Sequence, residues 1–242
     1  MPTLVRIGAL SAYAEIPQEI SGPPVLLIHG ILAAGWYFEK YQHFLAARGY
    51  PSYAINLRGR AESRPVEDLG RVALHEFVTD GLEAARALGR PIVIGHSMGG
   101  LIAQRLAEED ATHVTVLLAP APPRGISVAT PRLVLRQLRH LPALLRSRPL
   151  APGRGETSAI VLNRVPPEER PVLYARFIAD SGRAARDISL GTLGVDATRI
   201  RRPMLVVSGA DDRFIAPRIA RRIAAKYGAP CWQYPNNRSS CN

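Results

Sequence analysis

The pentapeptide Gly95-His96-Ser97-Met98-Gly99 lies between a short apolar run, Ile92-Val93-Ile94, and a helix-forming stretch that begins at Leu101. This order predicts a strand, a sharp turn and a helix, with Ser97 at the apex of the turn. Glycines on both sides of the serine let the strand and the helix approach closely, because they carry no side chain. The Ser97 hydroxyl is then expected to project from the turn, beside the first amide groups of the helix.

Short β-forming runs alternate with helical patterns on both sides of this turn. The later runs are continuously apolar, which is typical of strands buried on both faces of a parallel sheet. Amphipathic helical patterns at residues 37–45 and 74–88 each end near a glycine. The predicted strands are residues 4–14, 25–28, 52–57, 92–94, 114–119, 204–208 and 231–234. The alternation predicts an α/β fold with a mostly parallel, doubly wound sheet.

The alternation stops between about residues 120 and 202. Leucines there recur at helical steps, and Pro142 falls among them as a predicted kink or break. These leucines are Leu135, Leu138, Leu141 and Leu145. A second helical pattern begins at Pro166-Pro167 and extends through Phe177 to Gly182. Helices inserted between two strands of a parallel sheet are most simply a cap over the carboxyl ends of the strands, where ligands bind in such folds.

Length and composition limit the class of protein. The chain has 242 residues, 47% of them hydrophobic, which suits one sizeable core. We expect a core at residues 1–121 and 201–235, a helical cap at 122–200 and an aberrant or truncated tail at 236–242. No apolar run is long enough to cross a bilayer and no targeting segment is visible, so we expect a cytoplasmic protein without stable membrane insertion.

Charge and cysteine content exclude further classes. The net charge is +11, but basic residues are not interleaved with aromatic ones, so no nucleic-acid partner is expected. Cys231 and Cys241 are the only cysteines, too few for a disulfide framework or a zinc site. The oligomeric state does not follow from the sequence.

Four segments together resemble the α/β-hydrolase superfamily, in its branch of capped serine hydrolases. They are Leu26-Leu27-Ile28-His29-Gly30, Asn56-Leu57-Arg58-Gly59-Arg60-Ala61-Glu62-Ser63, the pentapeptide around Ser97, and Ser208-Gly209-Ala210-Asp211-Asp212-Arg213-Phe214-Ile215-Ala216-Pro217. The resemblance runs from about Pro24 to Pro235, and the order and spacing of the segments are more specific than any one of them. It implies an esterase-like or lipase-like enzyme that acts on a small-molecule acyl substrate, with no metal or other cofactor.

The resemblance also implies roles for residues around the serine. Ser97 would be the nucleophile, and Gly95 and Gly99 would support its turn. The backbone amides of Ile31 and Met98 would form the oxyanion hole. The pair His29-Gly30 would hold the loop before Ile31, so that His29 has a structural role in preference to that of the catalytic base. His96 is expected to pack against its neighbours.

An aspartate after the strand at 204–208 would orient the catalytic histidine. The family spacing, three residues past Gly209, selects Asp212 over Asp211. The alternative is that these aspartates only shape a turn or cap the helix that begins near Pro217.

The resemblance implies a histidine after the last strand, and the sequence does not contain one. All of the histidines precede Asp212; they are His29, His43, His75, His96, His113 and His140. Three explanations stay open. The coding sequence is truncated or shifted in frame, so that the histidine and the last helix are missing; the protein is a pseudoenzyme that keeps the pocket for binding; or another residue supplies the base, with His140 as the candidate.

The serine at the turn excludes some of the reactions that the superfamily catalyses. Epoxide hydrolases and haloalkane dehalogenases of this superfamily use an aspartate there, because an alkyl-enzyme intermediate needs a carboxylate nucleophile. Carbon–carbon bond hydrolases, acyltransferases and perhydrolysing relatives keep the serine. The sequence therefore predicts a serine hydrolase impaired by the missing histidine, with a catalytically silent ligand-binding protein as the alternative.

Overall fold

The fold, described for residues 2–127 and 140–234 of a computed structural model, is a sheet with helices on both faces. The strands are β1 (Thr3–Ile7), β2 (Leu10–Glu15), β3 (Val25–Ile28), β4 (Ser52–Ile55), β5 (Ile92–His96), β6 (Val114–Leu118), β7 (Pro149–Leu150), β8 (Asp180–Ser181), β9 (Met204–Gly209) and β10 (Cys231–Tyr234). The helices are α1 (Glu39–Ala46), α2 (Leu74–Ala87), α3 (Met98–Glu108), α4 (Leu141–Leu145), α5 (Arg154–Glu156), α6 (Arg170–Ala175), α7 (Gly182–Ser189) and α8 (Pro217–Tyr227).

The main sheet is mostly parallel, as the sequence predicts. Its described strands run in the order β1-β2-β4-β3-β5-β6-β9-β10, and only the pairs β1–β2 and β2–β4 are antiparallel. In the parallel part, Ile28 lies opposite Gly95 and Leu118 lies opposite Val207. The carboxyl ends of β3, β5, β6 and β9 therefore meet at one edge, and the loops that follow them share one site.

The first predicted strand, residues 4–14, is a hairpin of two strands. Gly8, with φ of +59°, lies in the turn that joins β1 to β2, and Ile7 pairs with Leu10 across it. The residues on both sides of the turn favour β structure, so the hydrophobic pattern alone does not show that the strand is interrupted. Glycine at a left-handed position in a two-residue connection is the signal that marks this hairpin.

The described part of the segment between β6 and β9 contains short helices. Pro142 lies in the first turn of α4, where its missing N–H costs no hydrogen bond. Residues 128–139 lie outside the described ranges, so the expected kink or break stays a prediction. The single helix predicted for residues 166–182 is wrong in extent. In the structure α6 covers only Arg170–Ala175, and Gly182 begins the next helix, α7. The Ser181 hydroxyl caps α7 by accepting a hydrogen bond from the Ala184 amide at 3.1 Å. Leu135 and Leu138 lie outside the described residues.

Helix α1 buries a different face from the one that its sequence pattern predicts. The side chains of Tyr41 and Phe44 are exposed, whereas Gln42 is buried. The Gln42 amide donates to the carbonyl oxygen of Tyr13 at 2.8 Å, and this bond satisfies it inside the protein. The aromatic stripe predicted for this helix is therefore wrong at Tyr41 and Phe44.

The two faces of the sheet are covered to different extents. Helices α2, α3 and α8 pack on one face and contribute Phe77, Leu101 and Ile219 to the larger apolar core. Helix α1 lies on the opposite face, beside a smaller cluster around Leu27. Farther along this second face, alternate residues of β5, β6, β9 and β10 are half-buried or exposed. They are Ile92, Ile94, Val114, Val116, Leu118, Leu205, Val207, Trp232 and Tyr234.

The division of the chain into a core and a cap stays a prediction, and the tail assigned to 236–242 lies outside the described residues. Within the described ranges, no helix has both the length and the apolar character needed to cross a bilayer.

Candidate active site

The turn around Ser97 has the backbone conformation that the sequence predicts. Ser97 joins β5 to α3 with φ of 52° and ψ of −115°, a region that residues with side chains rarely occupy. A Cβ atom on Gly95 would overlap the carbonyl oxygen of Gly99, and one on Gly99 would overlap that of Ile28. Both positions therefore require glycine for the strand and the helix to approach this closely.

Backbone hydrogen bonds hold this strained turn on both sides. The Ser97 amide donates to the carbonyl oxygen of Leu118 at 3.1 Å, and the Ser97 carbonyl accepts from the amide of Ala121 at 2.9 Å. The neighbouring strand β6 and its following loop thus fix the peptide groups around the serine. The side chain of Ser97 is partly exposed and lines a cavity.

The loop after β3 lies directly beside the serine. A Cβ atom on Gly30 would lie 3.0 Å from Ser97 Cβ, so the absence of a side chain there is what allows the contact. Ile31 follows in the cavity wall. Met98 is the first residue of α3, and the first amides of a helix have no intrahelical acceptor. The residue before Ile31 is thus in contact with Ser97, and Met98 follows Ser97 in the chain. The assignment of the Ile31 and Met98 amides as oxyanion donors stays a prediction.

His29 lies beneath this loop and is fully buried. Its Nδ1 lies 2.7 Å from the carbonyl oxygen of Gly30, and the Leu57 amide donates to its Nε2 at 3.4 Å. This pattern requires the neutral tautomer with the proton on Nδ1. Burial, together with the charge of Arg60, lowers the pKa of His29 well below its ordinary value. These contacts agree with a structural role.

His96 packs in the cavity wall against Tyr37. The two rings are stacked with 4.6 Å between centroids, and Tyr37 Oη lies 3.4 Å from His96 Nε2. Burial lowers the pKa of His96 to about 4, so the ring is neutral at pH 7. Burial also raises the pKa of Tyr37, with smaller contributions from Tyr41 and Asp212.

Asp212 faces the same cavity from the loop after β9. Its Oδ1 accepts hydrogen bonds from the amides of Phe214 and Ile215, both at 2.8 Å. Burial raises the pKa of Asp212, and the two amide hydrogen bonds oppose that rise. The carboxylate thus shapes its own turn, and Asp212 also lines the cavity. Its role in orienting a catalytic histidine stays a prediction. Asp211 is exposed, and its carboxylate pairs with Arg164 at 3.3 Å.

The cavity that joins these residues has a volume of about 640 Å³. The segment between β6 and β9 contributes both polar and apolar residues to the wall, and the apolar ones are more numerous. The larger ones are Leu144, Leu150, Ile160, Val161, Phe177 and Ile188. Of the six histidines, His96 and His140 line this cavity. The described residues contain no group of three or more His, Cys, Asp or Glu side chains arranged to hold a metal ion.

The sequence pattern misses two features of the site. Tyr37 belongs to a 3₁₀ turn before α1, and its phenol reaches the cavity through contact with His96, which is 59 residues away in the chain. Arg60 and Asp180 form a buried ion pair behind the loop of Ile31. Neither contact carries a local sequence signal, because each depends on how distant segments meet.

Comparisons with known proteins agree with this architecture. The α/β hydrolase family matches residues 25–237. The chain is 25% identical over 219 residues to a putative carbamate hydrolase, RutD, of Variovorax paradoxus, covering 87% of this chain and 82% of that one. It is 33% identical over 105 residues to epoxide hydrolase 3 of Xenopus tropicalis, which covers 41% of this chain. This chain spans only 28% of the length of that protein.

A solved structure shares the fold at low sequence identity. The monoacylglycerol lipase of Paleococcus ferrophilus superposes with a TM-score of 0.68 at 20% identity, covering 92% of this chain and 87% of that one. The family match extends over most of the sequence and includes both Ser97 and Asp212. The chain therefore belongs to the α/β hydrolase family.

Proposed function

We propose that the protein is a serine hydrolase that cleaves a carboxylic ester, or a similar acyl substrate, through an acyl-enzyme. One observation carries the proposal. Ser97 is held at a strained turn at one end of a largely apolar cavity, with Asp212 on the same cavity. Strain of this kind persists only where the surrounding structure enforces it, and it clusters at functional sites.

Each polar group at the Ser97 end has a defined task in this mechanism. Ser97 Oγ attacks the acyl carbon, and the amides of Ile31 and Met98 stabilise the negative charge that develops on the substrate oxygen. Loss of one such donor typically costs about 2.7–4 kcal/mol of transition-state stabilisation. Asp212 orients the base and stabilises its protonated form. The serine proton is passed through the base to the departing alcohol as the bond between the acyl carbon and the alcohol oxygen breaks. Water then hydrolyses the ester on Ser97, which releases the acid and restores the hydroxyl.

The identity of the base sets the expected rate. No histidine follows Asp212 in the 242-residue sequence, and His96 is stacked in the wall at the serine. His140, the remaining candidate for the base, also lines the cavity. If His140 does not reach Ser97, the serine hydroxyl stays protonated at neutral pH. The oxyanion donors and substrate binding alone can leave a residual acceleration of about 10³–10⁴ over water. We therefore propose slow turnover by this chain.

We propose that the insertion at 122–200 acts as a cap that selects the substrate. It supplies about half of the residues that line the cavity, and most of these are apolar, which suits an apolar acyl or alcohol group. The partial match to epoxide hydrolase 3 does not extend epoxide chemistry to this chain, because Ser97 stands where an alkyl-enzyme route needs a carboxylate.

Fluorophosphonate labelling of the 242-residue protein tests the proposal. We expect covalent modification of Ser97, slow hydrolysis of p-nitrophenyl esters, and loss of both in Ser97→Ala. After subtraction of the reaction that imidazole catalyses without protein, added imidazole is expected to accelerate labelling and hydrolysis by the wild type and neither by the variant. Labelling at a residue other than Ser97 would contradict the proposal. If the protein binds apolar esters in the cavity but stays unlabelled even with imidazole, the ligand-binding alternative is correct.

A further inference from the structure

A buried ion pair connects the insertion to the loop that carries Ile31. Arg60 follows β4 and is 1% exposed, and Asp180 belongs to β8 and is fully buried. The Arg60 guanidinium and the Asp180 carboxylate are in direct contact through Nη2 and Oδ2. Charges buried this deeply need each other and further hydrogen bonds, since an uncompensated buried charge is strongly destabilising.

The Asp180 carboxylate also accepts a hydrogen bond from the loop that follows β3. Its Oδ2 accepts from the Leu32 amide at 2.7 Å, and its Oδ1 accepts from the Ser181 amide at 2.7 Å. The Leu32 carbonyl in turn accepts from the Ile178 amide at 3.0 Å. Both peptide groups of Leu32 are thus bonded to one short segment of the insertion.

Leu32 needs this support because of its backbone conformation. Its φ is +65°, in the left-handed region that leucine adopts only at a cost. A residue in that region returns to a relaxed conformation unless its surroundings hold it. Relaxation of Leu32 would turn the peptide group between Ile31 and Leu32. Through the backbone of Ile31, this rotation would shift the Ile31 amide, which belongs to the peptide group before it.

Arg60 holds the same loop from the other side. Its Nε donates to the carbonyl oxygen of Ala33 at 3.2 Å, and its Nη1 donates to that of Arg58 at 3.0 Å. The guanidinium also lies over the ring of Phe77, 4.9 Å from its centroid. The two members of the ion pair therefore bond to consecutive residues of the loop, Leu32 and Ala33.

The segment that carries Asp180 is itself anchored on the core. The Ser181 hydroxyl lies 2.6 Å from the carbonyl oxygen of Val72 and donates to it, and it also lies within hydrogen-bond distance, 3.1 Å, of that of Gly70. The Ser181 side chain is fully buried. Asp180 is thus fixed relative to the sheet.

We propose that Asp180, paired with Arg60, is a positioning residue that fixes the oxyanion donor Ile31 through the backbone of Leu32. The inference rests on the proposed acyl chemistry of Ser97 for its catalytic consequence, but the positioning itself is a property of the loop. Loss of the Asp180 carboxylate leaves Arg60 unpaired and the Leu32 amide without its acceptor. The Ile31 amide then no longer points reliably at the substrate oxygen, while the apolar cavity is unchanged.

The test compares Asp180→Ala with the wild type by hydrogen exchange and by reaction at Ser97, because alanine leaves no side-chain oxygen to accept from the Leu32 amide. We expect faster exchange at the amides of residues 31–33. We also expect about 10²-fold slower fluorophosphonate labelling, since one oxyanion donor is impaired. For ester hydrolysis, kcat should fall while KM stays within about twofold, because the group acts only on the transition state. A general loss of packing would change KM and exchange throughout the molecule.

Glu83→Ala is the matched control. The Glu83 carboxylate also accepts from a backbone amide, that of Ala9 at 2.7 Å, and pairs with an arginine, Arg64 at 2.7 Å, but it has no contact with the loop. This variant should keep wild-type exchange at residues 31–33 and wild-type labelling. Arg60→Lys provides a second variant in case Asp180→Ala fails to fold. It keeps a buried cation for Asp180 and loses the bond to Ala33, so it should show smaller changes in the same direction.

The outcomes separate this inference from the proposed function. Unchanged exchange at residues 31–33 in the folded variants overturns the positioning role, whether or not Ser97 reacts. Faster exchange with unchanged labelling of Ser97 overturns the link from the loop to catalysis. If the wild type is not labelled but the loop exchanges faster in the variants, the proposed acyl chemistry fails and the positioning of Leu32 stands.

Discussion

Gly99, at the start of α3, lies so close to Ile28 of β3 that a methyl group on Gly99 would overlap the Ile28 carbonyl oxygen. The overlapping atom belongs to the backbone of a central strand and cannot move aside without disturbing the sheet. The contact ties the turn of Ser97 to the strand that leads into the loop of Ile31. Two parts of the candidate site are therefore positioned by one close approach.

Gly99→Ala is expected to lower the free energy of unfolding by about 1–3 kcal/mol or more, because the added methyl group forces backbone shifts. Urea denaturation measures the change. Gly155→Ala is the control, since a Cβ atom on Gly155, in α5, would meet nothing within 4 Å. That variant should be neutral or gain up to about 1 kcal/mol, because alanine loses less conformational entropy on folding. Equal effects of the two substitutions would contradict the close contact at Gly99.

Asp212→Asn is expected to stabilise the protein at pH 7. Burial raises the pKa of Asp212, so the folded state binds the proton more tightly than the unfolded chain does. The free energy of unfolding therefore falls as the pH rises from about 4 through the raised pKa. Asparagine removes this loss and still accepts hydrogen bonds from Phe214 and Ile215.

Melting temperatures at pH 7 and near pH 4 check this expectation. The gain in melting temperature should be larger at pH 7 and should shrink as the pH falls. Asp211→Asn is the control, since Asp211 is exposed and pairs with Arg164 at the surface, where such pairs contribute little. A lower melting temperature for Asp212→Asn at pH 7 would show that the Asp212 carboxylate is stabilised by its surroundings, contrary to its raised pKa.

His96→Phe is expected to make stability less sensitive to acid. Burial lowers the pKa of His96 to about 4, whereas an unfolded histidine titrates near 6.5. Between these values the unfolded chain binds more protons, so the free energy of unfolding falls as the pH decreases from 6.5 towards 4. Phenylalanine can stack on Tyr37 and has no proton to bind.

Urea unfolding at pH 7 and pH 5 measures the effect. The loss of stability on acidification should be smaller in His96→Phe than in the wild type, by about 1–2 kcal/mol. Tyr37→Phe keeps His96 and its stacked ring, and it should retain the wild-type dependence. An unchanged pH dependence in His96→Phe would mean that His96 is not held neutral in the folded protein.

Local patterns in the sequence predict most of the fold. The glycines around Ser97 and the apolar runs of the parallel strands are short-range signals, and the structure has the predicted strand, turn and helix at this point. The spacing from Gly209 selects Asp212, whose carboxylate lines the cavity. The residue that Gly99 approaches is not predictable from its neighbours, because Ile28 comes from a strand about 70 residues earlier.

Features that depend on contacts between distant segments cannot be predicted from the local sequence pattern. The burial of Gln42 is decided by acceptors on β2 and β4, so the helical periodicity of α1 gives the wrong face. Asp180 and Arg60 are 120 residues apart, and neither residue differs in its local sequence from a solvent-exposed charge. The short helices between β6 and β9 are difficult to predict from the sequence for the same reason, because contacts with the core stabilise them.

Two neighbouring valines in β9 test how far the second face of the sheet is covered. Val206 points into the larger core and is fully buried, whereas Val207 lies on the opposite face and is half-buried. Val206→Thr should lower the free energy of unfolding by about 1–3 kcal/mol, because the threonine hydroxyl would be buried in the core without a hydrogen bond to water. Val207→Thr should change it by no more than about 0.5 kcal/mol. It should also reduce self-association measured by light scattering, since an exposed apolar face promotes aggregation. Equal stability losses for both variants would mean that the second face is buried to the same extent as the first.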